Sequence, residues 1–208
     1  MYRILLVDDH AVVRRGVRAI LEDELAGVTI SEAADGDQAL AAIEEPLDAV
    51  VLDLSMPGRS GIDLLEEIKH RRPKLPILIM SLHGEEQFAV RALRAGASGY
   101  LNKSAAPERL VAAIVKVAGG GRYVSESLAE RLALAVAGGV SRVPHERLSN
   151  REFEVMRGIA SGSSVSEIAT RLHLSVKTVS TYRARLLEKM GMTTNAELTR
   201  YAIELGLA

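Results

Sequence analysis

Asp8, Asp9, Asp53, Ser81 and Lys103 each follow a short apolar run: Arg3 to Val7, Asp48 to Leu52, Pro76 to Met80 and Ser98 to Asn102. Side chains at the carboxyl ends of strands in an open parallel sheet converge on one crevice, where such folds bind ligands. Three crowded carboxylates repel unless a cation sits among them, and a hard ion such as Mg2+ takes oxygen ligands together with substrate phosphate oxygens. An ammonium and a hydroxyl can hold phosphoryl oxygens. A carboxylate can also attack phosphorus to give an acyl phosphate. The chemistry these residue types suit is metal-assisted phosphoryl transfer to an aspartate.

The elements that must position these groups alternate between strand and helix. Apolar runs predict strands over 3–7, 28–33, 48–53, 76–81 and 98–103. After the first, Val13, Gly16, Val17, Ile20 and Leu21 form a helical stripe, and further helices are predicted over 36–44, 61–71, 85–95 and 107–118. Near-continuous apolar strands alternating with amphipathic helices specify α/β class, a doubly wound five-stranded parallel sheet of flavodoxin-like form. Gly119-Gly120-Gly121 ends the pattern. Residues 119–145 are expected to be a linker holding one helix over 125–136, with Leu128, Leu132 and Val136 on one face.

From 146 onward the pattern is all helical. Ser149 with Glu152 and Ser164 with Glu167 match capping boxes, and Ser175 has the character of a third N-cap, opening a helix through Lys189; a last helix is expected over 195–205. Ile168, Ala169 and Leu172 form one apolar stripe, and Val176, Val179, Leu186, Leu187 and Met190 another. Packing these leaves Lys177, Ser180, Thr181, Ala184, Arg185 and Glu188 facing outward, suited to the major groove of DNA.

Composition bounds the remaining possibilities. The 208 residues include no Cys, which excludes a disulfide scaffold, a thiol nucleophile and a cysteine zinc site. The first residues meet Asp8-Asp9 at once, without a signal peptide's apolar stretch, and no run has membrane-spanning length, so a soluble cytoplasmic protein is expected. Residues 1–118 carry 14 Lys and Arg against 18 Asp and Glu, and residues 143–208 carry 9 against 7. An acidic front and a mildly basic tail suggest two tasks. The five histidines, His10, His70, His83, His145 and His173, share no metal-ligand spacing and count as ordinary polar residues.

Asp8-Asp9, Asp53-Leu-Ser-Met-Pro57 with Gly61, Ser81, and Tyr100-Leu-Asn-Lys103 resemble, over residues 1–118, the receiver domain of two-component response regulators. Leu148-Ser-Asn-Arg-Glu152, Glu167-Ile-Ala169 and Leu174-Ser-Val-Lys-Thr-Val179 resemble the LuxR-type helix-turn-helix over 146–208, with the reader motif at about 164–185. Together they are similar to the NarL/FixJ transcriptional regulators. The resemblance implies that Asp53 accepts phosphate from a sensor histidine kinase, and that Asp8, Asp9, Asp53 and the Ser55 main-chain carbonyl hold Mg2+. It implies phosphate binding by Ser81 and Lys103, and a Ser81–Tyr100 switch pair whose ring turns inward. It further places Lys177, Ser180, Thr181 and Ala184 at bases, Thr178, Tyr182, Arg183, Arg185 and Lys189 nearer phosphates, and two copies of the chain on one double-stranded DNA site. No turnover enzyme is implied beyond self-catalysed phosphotransfer and slow dephosphorylation.

Two departures bear on these expectations. Leu82 stands where receivers usually carry a smaller residue, so narrower access to Asp53 and slower phosphotransfer are expected. Ala184 stands where a basic residue is common. Two rivals remain: a phosphohydrolase with an aspartyl nucleophile, disfavoured because Ser55 stands where such enzymes want a second Asp, and an adaptor whose tail binds protein.

Overall fold

The structure is a computed structural model describing all residues except 55, 57–60, 82–84, 127, 131–143 and 208. It forms two compact units, Met1–Ala137 and Gly138–Ala208. In the first, β1 (Arg3–Val7), α1 (Ala11–Glu24), β2 (Thr29–Ala33), α2 (Gly36–Ala42), β3 (Ala49–Asp53), α3 (Gly61–Arg71), β4 (Ile77–Ser81), α4 (Glu85–Arg94), β5 (Gly99–Asn102) and α5 (Pro107–Ala118) alternate along the chain.

All strand pairs are parallel, in the order β2-β1-β3-β4-β5. The order reverses at β1, whose neighbours connect in opposite directions. A crevice therefore opens between the carboxyl ends of β1 and β3. β3 and β4 are buried along their whole length, as expected for apolar strands covered on both faces. On one face Val17 and Leu21 of α1 and Leu110, Ala113, Ile114 and Val117 of α5 pack against Ile4, Leu6, Val51, Leu78, Met80 and Leu101. Asp35 caps α2, its carboxylate accepting from the Gln38 amide at 2.8 Å.

The chain after α5 departs from the expected linker. Gly120, at φ +81, turns it back, and Tyr123 forms a parallel bridge with Gly99. The Tyr100 amide donates to the Tyr123 carbonyl and the Tyr123 amide to the Ser98 carbonyl, both at 3.0 Å. The bridge needs Gly99, because a Cβ there would lie 2.7 Å from the Tyr123 oxygen. Of the expected helix over 125–136, Glu126 and Leu128–Glu130 are helical, with the Ser125 hydroxyl accepting from the Leu128 amide; residues 131–136 lie outside the described residues.

Among its described residues the second unit holds a 3-10 turn (Pro144–Arg147) and four helices: α6 (Asn150–Ala160), α7 (Val165–Leu172), α8 (Val176–Met190) and α9 (Asn195–Glu204). Both expected capping boxes are present, Ser175 caps α8, and Thr194 with Glu197 adds a third box. Phe153, Val155, Met156, Ile168, Val179, Leu186, Leu198 and Ala202 are buried in the second unit's core. Gly158 allows α7 to approach α6, since a Cβ there would meet the Ile168 side chain at 2.7 Å.

The close approach at Gly99 makes the first unit sensitive there. Gly99→Ala is expected to displace the Tyr123 segment and to cost about 1–3 kcal/mol, measured as a lowered urea midpoint of the intact chain.

Candidate functional site

The carboxylates of Asp8, Asp9 and Asp53 meet at the crevice, with donor atoms within 4.8 Å of one another and of the His10 ring. β1 delivers Asp8 and Asp9 immediately past Val7, and β3 ends on Asp53 itself. The Asp8 amide donates to the Ala33 carbonyl, extending the β1–β2 ladder by one residue, and Asp8 Oδ1 accepts from the His10 amide at 2.8 Å. Asp53 is 1% exposed. Lys103, one residue beyond β5, reaches across: its Nζ lies 2.6 Å from Asp8 Oδ2 and 2.8 Å from Asp53 Oδ2. The Lys103 amide donates to the Ser81 carbonyl, so the lysine's backbone is pinned to β4 while its ammonium spans β1 and β3.

Electrostatically the group is unbalanced. Burial works against the Lys103 charge, but hydrogen bonds to Asp53 and Asp8 and their negative charges outweigh it, holding its pKa above the ordinary lysine value. One ammonium cannot neutralise three carboxylates. Asp9 Oδ1 is sealed from solvent and accepts no hydrogen bond, with the His10 Nδ1 atom 2.9 Å away. An all-oxygen carboxylate set with negative charge to spare fits a hard divalent cation. Asp8, Asp9 and Asp53 are the side chains that could hold it.

Ser81 is fully buried at the end of β4. The Tyr100 ring, on β5, is 1% exposed, so it lies in the interior rather than at the surface. Ser55, expected to offer a main-chain carbonyl, and Leu82, expected to narrow access, lie outside the described residues.

Two residues near the site were not legible beforehand. His10, counted as an ordinary polar residue, belongs with the acidic cluster, because the turn after β1 folds its ring back over Asp9. Arg14 donates to the Asp8 carbonyl at 2.6 Å and to Glu32 at 2.9 Å, steadying the acidic turn. It belongs to no motif, and only the fold brings it to the turn.

In the second unit, α7 and α8 meet at a tight turn. His173 adopts a left-handed conformation at φ 52, and the Leu174 amide donates to the Ala169 carbonyl, closing α7. On α8, Lys177, Ser180, Thr181, Ala184 and Arg185 are exposed, while Thr178, Tyr182 and Arg183 are half-buried beside them. Val176 differs from expectation: it is 51% exposed, because the first turn of α8 projects past the packed stripe, which begins at Val179. Lys189, expected nearer phosphates, has a partner within the unit. Its Nζ lies 2.7 Å from Oε2 of the buried Glu152, so its ammonium ties α8 to α6. Arg183 Nε donates to Asn195 at 2.7 Å, tying α8 to α9.

Residues 4–115 match the response regulator receiver domain, and residues 146–202 match the luxR family of bacterial regulatory proteins. The chain belongs to the NarL/FixJ family of response regulators. It is 38% identical to the response regulator UvrY of Escherichia coli K12, over all of this chain and 96% of the relative. It is 38% identical to the transcriptional activator ExaE of Pseudomonas putida, over 98% of this chain and 97% of the relative. Among solved structures it resembles RcsB of Salmonella enterica serovar Typhimurium, bound to promoter rprA with the phosphomimetic BeF3-, with TM-score 0.65, 29% identity, and 96% and 97% of the two chains covered. The protein is thus a DNA-binding transcriptional response regulator of a two-component system, and no helix among its described residues is long and apolar enough to cross a membrane.

Two outcomes follow for this response regulator. Lys103→Met leaves buried carboxylates uncompensated and is expected to cost about 3 kcal/mol in urea unfolding with a chelator present, part of which added Mg2+ restores. Glu152 is opposed by burial, but the Lys189 ammonium and the Ser149 amide hold its pKa below the ordinary carboxylate range. A depressed pKa gives stability that is present at neutral pH and lost as pH falls through that pKa. Glu152→Gln should therefore cost about 2 kcal/mol at pH 7 and progressively less as the pH falls below the ordinary carboxylate range, read by hydrogen exchange of α6 and α8 amides in the intact chain.

Proposed function

We propose that Asp53 is the phosphoacceptor, charged by a phosphohistidine of a sensor histidine kinase, and that the modification controls DNA binding by the second unit. The observation that carries this is the buried Asp53 carboxylate, with the Lys103 ammonium at 2.8 Å and two further carboxylates beside it. Asp8, Asp9 and Asp53, with the Ser55 main-chain carbonyl, are the groups proposed to hold Mg2+. When bound, that ion would neutralise charge on the phosphoryl oxygens.

The chain's own groups account for the remainder of the transfer. An Asp53 carboxylate oxygen attacks phosphorus, the phosphorus–nitrogen bond of the donor breaks, and its electron pair stays with the imidazole, which takes up a proton. An acyl phosphate on Asp53 results. Lys103, held between Asp8 and Asp53, is placed to follow a phosphoryl oxygen as a point charge. The Ser81 hydroxyl donates to another, and the Tyr100 ring occupies the interior beside it as that hydroxyl moves. The new group brings about −1.5 to −2 charge. It shifts the protein between two conformers only through different contacts in each, which Ser81 and Lys103 supply.

For output, Lys177, Ser180, Thr181 and Ala184 are proposed to meet bases, with Thr178, Tyr182, Arg183 and Arg185 nearer phosphates. Lys189 contributes there only where it leaves Glu152. Two copies of the chain would grip one two-fold site in the cytoplasm. RcsB, described on promoter DNA with a phosphoryl mimic, supports this coupling of receiver state to DNA.

The test is intact-protein mass spectrometry with acetyl phosphate and Mg2+, paired with promoter binding. The parent should gain one phosphoryl mass and bind DNA more tightly. Asp53→Asn should do neither, and an Asp53→Asn protein that still responds to the phosphodonor removes the proposal.

A further inference from the structure

The centre of the outward face of α8 is occupied by Ser180, Thr181 and Ala184, with Lys177 before them and Arg185 and Glu188 after. None of the three central side chains carries an amide, a guanidinium or an ammonium. Both hydroxyls are turned inward along the helix: Ser180 Oγ donates to the Val176 carbonyl at 2.8 Å and Thr181 Oγ1 to the Lys177 carbonyl at 3.0 Å. A hydroxyl has one proton, and here the backbone four residues earlier takes it. What remains to face a ligand is oxygen lone pairs, which only accept, together with the Thr181 methyl group and the Ala184 β-carbon.

That inventory has a definite complement in the major groove. Guanine presents two acceptors, N7 and O6, and is read by donors such as Arg, Lys or a free hydroxyl proton. Hydroxyl oxygens whose protons are committed meet those acceptors with like charge. An A·T pair presents an amino donor on adenine and an apolar C5-methyl on thymine. Cytosine carries an amino donor as well, so the lone pairs of Ser180 and Thr181 accept from either pair, and the methyl, which suits the apolar groups of Thr181 and Ala184, is what singles out A·T. Lys177 lies one turn before Thr181, where it meets a base at the margin of the site, and Arg185 lies one turn after Thr181, nearer a phosphate.

We propose that α8 selects A·T pairs at the centre of its DNA site, reading thymine methyls and base amino groups through Thr181, Ala184 and Ser180 in place of a guanine-reading cation. The proposal rests on the DNA-binding role argued above and specifies its sequence class. Ala184 is then the choice that sets specificity: a small apolar residue admits a methyl where a lysine would favour guanine.

The experiment uses the full chain with acetyl phosphate and Mg2+, and without them, on a pool of random-sequence duplexes. Selected duplexes are then synthesised with deoxyuridine at single thymines, which deletes only the C5-methyl. Selected sites should carry A·T pairs where α8 docks, and each central deoxyuridine should weaken binding about fourfold, the value of one buried methyl. Thr181→Ser, which deletes one methyl and keeps the hydroxyl, should lose sensitivity to deoxyuridine at one position, and Ala184→Lys should move the preference toward guanine. A G·C centre, no base preference at the centre, or indifference to deoxyuridine overturns the proposal. A chain that binds no duplex in either condition, even at low salt, removes the DNA-binding role itself.

Discussion

Like-charge crowding at the end of the sheet is the constraint on which the rest of the receiver depends. Asp8 and Asp53 sit on neighbouring strands because β1 and β3 pair in register, Val7 beside Leu52, so both chains deliver their next residue at the same level. The register that fills the core with Leu5, Leu6, Val50 and Val51 is thus the register that forces the carboxylates together. Lys103 offsets part of the repulsion, and it does so from a third strand, reaching across the top of β4. The remaining negative charge suits the site to a hard divalent cation.

The DNA-binding unit solves a different problem, that of holding short helices at fixed angles with a small core. Each helix N-terminus from α6 to α9 has a side-chain cap, which ties helix starts to single residues. Gly158 lets α7 approach α6 closely, and the left-handed His173 turns the chain sharply into α8. Two polar ties, Lys189 to Glu152 and Arg183 to Asn195, hold α8 from either side. They use cations that charge alone would assign to phosphates. The outward face is left with small, exposed side chains at its centre, Ser180, Thr181 and Ala184.

Ser149, Ser164 and Ser175 with their partners, and the apolar runs before Asp8, Asp53, Ser81 and Lys103, announced their elements because capping and strand burial are local or period-two properties. Where the described residues show both ends of an expected element, the boundaries fell within a residue or two for the same reason. The Tyr123 bridge was not legible. A glycine run reads as a linker in any sequence, and only the open edge of β5, together with the absent Cβ of Gly99, gives Tyr123 a partner. Val176 misled because helical periodicity continues to the first turn whether or not another element covers it.

By itself the chain of residue types determined the alternation of elements, the strand ends that carry Asp8, Asp9, Asp53, Ser81 and Lys103, and the helix starts of the second unit. Those are set by preferences spanning a few residues. Tertiary structure decided which groups share charge: that Lys103 bridges two carboxylates, that His10 and Arg14 attend the acidic turn, and that Lys189 serves Glu152. Pairings across 95 or 37 positions depend on where separate elements pack, and a Coulomb interaction is fixed by distance in space, to which separation along the chain is blind.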